Sequence, residues 1–243
     1  MKLIKLNAIA STSSFLKELA QDSPLENYTV VTTNEQTKGR GQQSNSWVSE
    51  PHKNLTTSIF IKDFDLQINN QKYLNFAISL AVFEVLLEEE IPKPTIKWPN
   101  DIMSANNKIC GILIENSIKN QKIYATIVGI GLNINQTEFP DYLKNVTSLK
   151  KIKGIDFNID TLLLKLIEKI KEKTQLLASK KYDVLENEYL QVLYKKNIPT
   201  MFKDSSDVLF MGIISGISAS GNLLVELEDE TIKEFGIKEI SLA

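Results

Sequence analysis

Four short segments carry residue types that could hold an anionic substrate and neutralise charge on it. The first is TKGRGQQSNSW (37–47). It contains the one arginine of the chain, Arg40, set between Gly39 and Gly41; the other 27 of the 28 Lys and Arg residues are lysine. Glycines let a ligand come close to the main chain, and exposed amides in such a loop can cradle an anion. A guanidinium adds a planar fork for carboxylate or phosphate that lysine does not reproduce. Gln42, Gln43, Ser44 and Asn45 add polar groups, and Trp47 offers a flat apolar ring to a base or similar group. Read locally, the same residues also describe a surface turn. The second segment is KWPND (97–101). Lys97 is a point charge for phosphate, and Asn100 and Asp101 are hard oxygen donors suited to Mg²⁺. Pro-Asn-Asp is equally strong turn chemistry.

The third segment, NNKICGILIE (106–115), opens an apolar strand with Lys108 and carries Gly111 in its middle. A glycine inside a strand marks close approach by a ligand or another backbone. The alternative for Lys108 is an exposed hairpin lysine. The fourth, GIGLNIN (129–135), sets Gly-x-Gly before Asn133, a candidate for metal or phosphate. The full G-x-G-x-x-G pattern is missing and no helix follows, which excludes a dinucleotide loop; a sheet-edge bulge is the alternative. One histidine, His52, and one cysteine, Cys110, leave little room for a zinc site or a Cys–His dyad. His52 reads as exposed and Cys110 as a small buried apolar side chain. The chemistry must rest mainly on Lys, Arg, Asp, Asn and backbone amides, with a hard metal ion as a further candidate.

The elements around these segments mix strands with few helices. A helix is predicted over 11–21, N-capped by Ser11, and strands over 28–33 and 55–62. A buried helix follows at 72–90, then strands at 95–99, 108–115 and 122–135. From about 160 to 195 the apolar period is 3.6, with a Lys/Glu run at 165–173 read as a solvated face. Pro199 ends the helical texture, and Gly-punctuated short strands follow. The order is not a regular βαβ alternation, so the class is α+β with a mixed sheet, followed by a small β-barrel. The division falls between 1–196 and 197–243. A net charge of −2, no apolar run long enough to span a bilayer and no signal sequence point to a cytoplasmic chain without general affinity for nucleic acid or membrane.

Taken together and in order, these pieces resemble the biotin–protein ligases, also called biotin–[acetyl-CoA-carboxylase] ligases. The matching stretches are STSS (11–14), GRGQQSNSW (39–47), NLTTSIFI (54–61), KWPNDI (97–102), KICGILIE (108–115) and GIGLNIN (129–135). The resemblance implies a catalytic domain of the biotin/lipoate ligase type with an SH3-like C-terminal domain. It implies formation of biotinyl-5′-AMP from biotin and MgATP, then transfer of biotin to a lysine of a biotin carboxyl carrier domain. Lys108, Arg40 and Asp101 are the implied catalytic residues. The implied biotin site comprises Ser11, Thr12, Ser13, Gln36, Arg40, Gly41, Gln42, Lys108 and Gly111. The implied ATP site comprises Gly39, Arg40, Trp47, Lys97, Asn100, Asp101 and Asn133, with Mg²⁺ at Asp101 and Asn133. Many relatives carry arginine where this chain has Gln42 and Asn45, glycine where it has Ser44, and asparagine where it has Ser13. Only ten residues precede STSS, so no DNA-binding domain is expected. Assembly as monomer or homodimer stays open. A lipoate–protein ligase or octanoyltransferase is the nearest rival; a non-catalytic biotin-binding module would be expected to lack Lys108, Asp101 or Arg40.

Overall fold

The computed structural model describes residues 2–243, without the side chain of Ser44. Met1, in the expected 1–196 domain, and the Ser44 side chain of the polar loop lie outside the described residues. A seven-stranded mixed sheet forms the larger part. Its strands are β1 (Leu3–Ile9), β2 (Thr29–Gln36), β3 (Leu55–Gln67), β4 (Pro94–Lys97), β5 (Asp101–Ser104), β6 (Asn107–Lys119) and β7 (Lys122–Leu132), in the order β1-β2-β3-β7-β6-β5-β4. β1 and β2 run parallel, and every other neighbouring pair is antiparallel.

Side chains alternate along strands, so each strand divides its residues between two faces. On β3, Leu55, Ile59 and Ile61 enter the main core; on β7, Val128, Ile130 and Leu132 do the same. That face is covered by α2 (Gln71–Glu88), α4 (Ile159–Ala178) and α5 (Tyr182–Gln191). Eleven residues of α2 are buried, Leu74 to Leu86 among them, which fits its apolar middle. On the opposite face α1 (Thr12–Asp22) lays Leu16 against Val31, Phe60, Ala125 and Ile127. Further along β7 on that face come Gly129 and Gly131. There the apolar cover stops and the surface opens. The site lies on this glycine-lined end of the face.

The Lys/Glu run at 165–173 is exposed at Glu168, Lys171 and Glu172, as expected, whereas Lys165, Lys169 and Lys173 turn to carboxylates of the neighbouring helices. Lys165 pairs with Glu89 at 2.6 Å and Lys169 with Glu88 at 3.0 Å. Lys173 has only 8% of its side chain exposed and bridges Glu84 at 2.6 Å and Glu188 at 2.7 Å. The run ties α4 to α2 and α5, because a lysine that loses water must gain carboxylates. A short α3 (Leu149–Lys153) ends on Gly154 in the left-handed conformation, φ 74°.

Beyond α5 the chain forms a second, five-stranded antiparallel sheet from β8 (Pro199–Asp204), β9 (Leu209–Ile217), β10 (Leu223–Leu227), β11 (Ile232–Phe235) and β12 (Ile240–Leu242), ordered β11-β10-β9-β8-β12. It is compatible with the small SH3-like domain expected there. The β9–β10 turn docks on the larger part: the Trp98 indole N–H donates to the Gly221 carbonyl at 3.0 Å, and Lys72 Nζ to that of Ser218 at 3.2 Å. No helix is long and apolar enough to cross a membrane among the described residues.

Candidate functional site

The quoted loop is a small hairpin rather than an irregular surface turn. Trp47 N–H donates to the Gly39 carbonyl at 3.0 Å, Arg40 and Ser46 form a bridge, and Gly41 N–H donates to Asn45 at 2.7 Å. Its tip is a single 3-10 turn, Gln42–Ser44, with Gln43 at φ 49°. The hairpin folds over the open end of the sheet and encloses a cavity of about 140 Å³. Ser11, Thr12, Ser13, Gln36, Arg40, Gly41, Gln42, Trp47, Asn100, Asp101, Lys108 and Gly111 all line it.

At one part of the wall sits a box of neutral hydroxyls and an amide. Ser11 caps α1 by accepting from the Ser14 N–H at 3.3 Å. The Gln36 side-chain oxygen Oε1 accepts from Thr12 N–H at 2.9 Å and from its hydroxyl at 3.2 Å. Ser58 Oγ lies 2.8 Å from Thr12 Oγ1 and 2.9 Å from Ser13 Oγ. A Cβ at Gly129 would stand 2.7 Å from Ser13 Oγ, so the hydroxyl needs glycine beneath it.

Two residues along β7, the Trp47 ring lies flat on the sheet. A Cβ at Gly131 would overlap the indole, and one at Gly111, its partner on β6, would come within 3.1 Å of the ring. Strand geometry puts about 7 Å between the hydroxyl box at Gly129 and this platform at Gly131. Gly131→Ala is therefore expected to expel the indole, whose buried N–H has no partner among the described residues. Tryptophan fluorescence should shift to the red; an unshifted spectrum would contradict the packing.

Beside the platform stand the two groups with the most chemical capacity. Lys108 Nζ is 2.6 Å from Asp101 Oδ1, with side-chain exposures of 33% and 23%, and 5.8 Å from the Trp47 ring centre. β5 and β6 hold them together: Asp101 is opposite Gly111, and a register shift after Ile102 brings Met103 opposite Lys108. The backbone of Lys108 is fixed from outside, since its N–H donates to the Asn145 carbonyl at 2.6 Å and its carbonyl accepts from Thr147 at 2.9 Å. Asn100 clamps the KWPND turn to β6 by donating to the Ile112 carbonyl at 2.6 Å. The half-buried ammonium can stabilise developing negative charge, and the carboxylate beside it can accept a proton.

Arg40 finds a partner that its sequence surroundings do not announce. Its guanidinium makes a two-pronged pair with Glu115, at 2.8 and 3.1 Å, and donates to Ser14 Oγ at 3.4 Å. Glu115 stands on β6 with 21% of its side chain exposed.

Three expected site residues do not reach this cavity. Gly39 lies off its wall and serves close packing, because a Cβ there would overlap the Trp47 carbonyl. Asn133 is buried, donating to the Thr147 carbonyl at 3.1 Å, and braces the segment that fixes Lys108. Lys97 faces an adjoining groove of about 420 Å³ between the two sheets. Among the described residues Asp101 is the single carboxylate on the cavity wall. Among the described residues no group of three or more His, Cys, Asp or Glu side chains could hold a metal. His52 is exposed and Cys110 fully buried, as expected. Burial pushes the Cys110 thiol far above the usual thiol range, so thiolate chemistry is absent from this site. The native chain should resist thiol reagents at neutral pH and react once unfolded; rapid labelling without unfolding would contradict this.

Residues 6–133 match the sequence pattern of the biotin/lipoate A/B protein ligase family. The chain belongs to that family. It is similar over its whole length to the biotin protein ligase from Aquifex aeolicus solved with biotin and ATP. The identity is 30%, the TM-score 0.81, and the match covers 100% of this chain and 98% of that one. It is 34% identical to the bifunctional ligase/repressor BirA of Bacillus subtilis over 155 residues, which are 63% of this chain and 47% of that protein. With BirA of Escherichia coli the identity is 27% over 239 residues, covering 98% of this chain and 73% of the relative. The chain thus spans about half the length of the first of these relatives and nearly three quarters of the second.

Proposed function

We propose that this member of the family is an ATP-dependent biotin–protein ligase. In the first step a carboxylate oxygen of biotin attacks the α-phosphorus of ATP. The bond to pyrophosphate breaks, giving biotinyl-5′-AMP. In the second step the ε-amine of a lysine on a biotin carboxyl carrier domain attacks the anhydride carbonyl. AMP leaves, and the amine loses a proton.

The observation that carries this reading is the Lys108–Asp101 pair at 2.6 Å, set beside a glycine platform and about one strand repeat from a neutral hydroxyl box. Ser11, Thr12, Ser13 and Gln36, backed by the buried Ser58, offer donors and acceptors without charge, which suits a neutral ureido head-group. Lys108 lies where the carboxylate would meet the α-phosphate, and its charge offsets the charge that builds there. No side-chain nucleophile is required, since the substrate carboxylate attacks; alignment supplies the rest. Asp101 is the group placed to receive the proton of the carrier lysine. Magnesium would enter with the phosphates of ATP. One carboxylate, Asp101, fits that mode of binding and would not build a resident metal site.

The nearest rival within the family acts on lipoate, and thermal unfolding separates the two. Biotin at a hundredfold excess over its dissociation constant should stabilise the chain by about 2.7 kcal/mol, and lipoate should not. Stabilisation by lipoate alone would reverse the assignment.

A further inference from the structure

Ser58 stands behind the hydroxyl box and does not line the cavity. It is fully buried on β3, opposite Val31 of β2 and Gly129 of β7. Its Oγ lies 2.8 Å from Thr12 Oγ1 and 2.9 Å from Ser13 Oγ, and both of those residues do face the cavity. A hydroxyl in that place reaches a ligand only through the groups in front of it.

Each hydroxyl has one proton to donate and two lone pairs with which to accept. The line of contacts has one end whose direction is fixed. Gln36 Oε1 takes the Thr12 main-chain N–H at 2.9 Å, and an N–H can only donate, so that oxygen is an acceptor. The Thr12 hydroxyl donates to the same oxygen at 3.2 Å, which uses its one proton. Ser58 is then left to donate to Thr12 Oγ1, and Ser13 to donate to Ser58 Oγ. The order runs from Ser13 through Ser58 and Thr12 to Gln36. It leaves unused lone pairs on Thr12 and Ser13, and no free proton on either. Gly129 keeps Ser13 in the line, because a Cβ there would stand 2.7 Å from its Oγ.

We propose that Ser58 is a positioning residue for the biotin head-group: it turns the hydroxyls of Thr12 and Ser13 so that both meet the ligand as acceptors of N–H hydrogen bonds. The inference rests on the ligase reading above and adds to it a device that selects the head-group. A ureido ring offers N–H groups; a dithiolane ring offers none and gains nothing from this order.

The test uses the full chain and equilibrium binding of biotin and, separately, of ATP, with thermal unfolding of the empty chain as a check on the fold. Ser58→Ala should weaken biotin about tenfold, the size of one hydrogen bond taken from a buried partner, and leave ATP affinity within about twofold. Ser58→Cys keeps a weak donor and acceptor and should fall between the two. In a Thr12→Val background, where the order is already broken, Ser58→Ala should cost biotin less than about twofold. A biotin analogue with ring oxygens in place of the ureido N–H groups should lose little in Ser58→Ala, because it brings no proton to the acceptors. Unchanged biotin affinity in Ser58→Ala would overturn the proposal. So would losses that are equal for biotin and the analogue, or additive with Thr12→Val, either of which reduces Ser58 to packing. If the unaltered chain binds no biotin, the ligase reading fails and this inference with it; biotin binding that survives Ser58→Ala removes the inference alone.

Discussion

Lys108→Ala should lower the rate of adenylate formation by about 10²- to 10³-fold, the range for losing one preorganised charge at a reacting centre. The reason lies in what the ammonium touches. It is held 2.6 Å from Asp101, and the main chain that carries it is fixed by hydrogen bonds with the backbone of Asn145 and Thr147. Its position is therefore set before substrate arrives, and little reorganisation is left for the transition state. The alanine variant loses the cation and keeps the Asp101 carboxylate beside the incoming phosphate, so attraction becomes repulsion. Biotin binding should suffer less, because the hydroxyl box around Ser58 is untouched. Rapid-mixing measurement of pyrophosphate release in a single turnover separates chemistry from binding. A release rate equal to that of the unaltered chain would remove Lys108 from the reaction.

Arg40→Lys should lower kcat/KM for biotin by about 10- to 100-fold, although it keeps the charge. A lysine ammonium cannot make the two parallel contacts that the guanidinium makes to Glu115. Those contacts hold the base of the hairpin that roofs the cavity and lays Trp47 on Gly131. Glu115→Gln should reproduce much of the loss, since a neutral amide keeps the shape and forfeits the ion pair. The double variant should be far less impaired than the sum of the two, because both remove one interaction. Additive losses would show that Arg40 works independently of Glu115, through substrate alone.

The contrast between these two residues shows how far a sequence reads. Lys108 and Asp101 were each named from the sequence, and their catalytic roles came from the resemblance; the pairing itself is made by the hairpin of β5 and β6, which joins positions seven apart. Glu115 was not named: it is 75 residues from Arg40, and nothing near either one names the other. The strand β1 escaped notice because it is a parallel edge strand, with a half-exposed pattern that does not alternate. β5 was hidden inside what reads as turn chemistry, being only four residues long. Asn133 seemed free at the end of a Gly-x-Gly strand; the 145–147 segment covers it, and only the tertiary fold reveals that cover. The hydroxyl box was half visible. Ser11 and Thr12 stood out at a helix start, whereas Ser58 sits in an apolar strand and shows itself through the two-residue alternation with Thr56.

The ligase assignment is tested most directly by incubating the chain with biotin, MgATP and an apo carrier domain from a biotin-dependent carboxylase, then weighing the intact carrier. One biotinyl group should appear on a single lysine, only when ATP is present, and Lys108→Ala should yield almost none. A carrier whose mass is unchanged by the active chain, or changed equally by the Lys108→Ala variant, would contradict the proposed reaction.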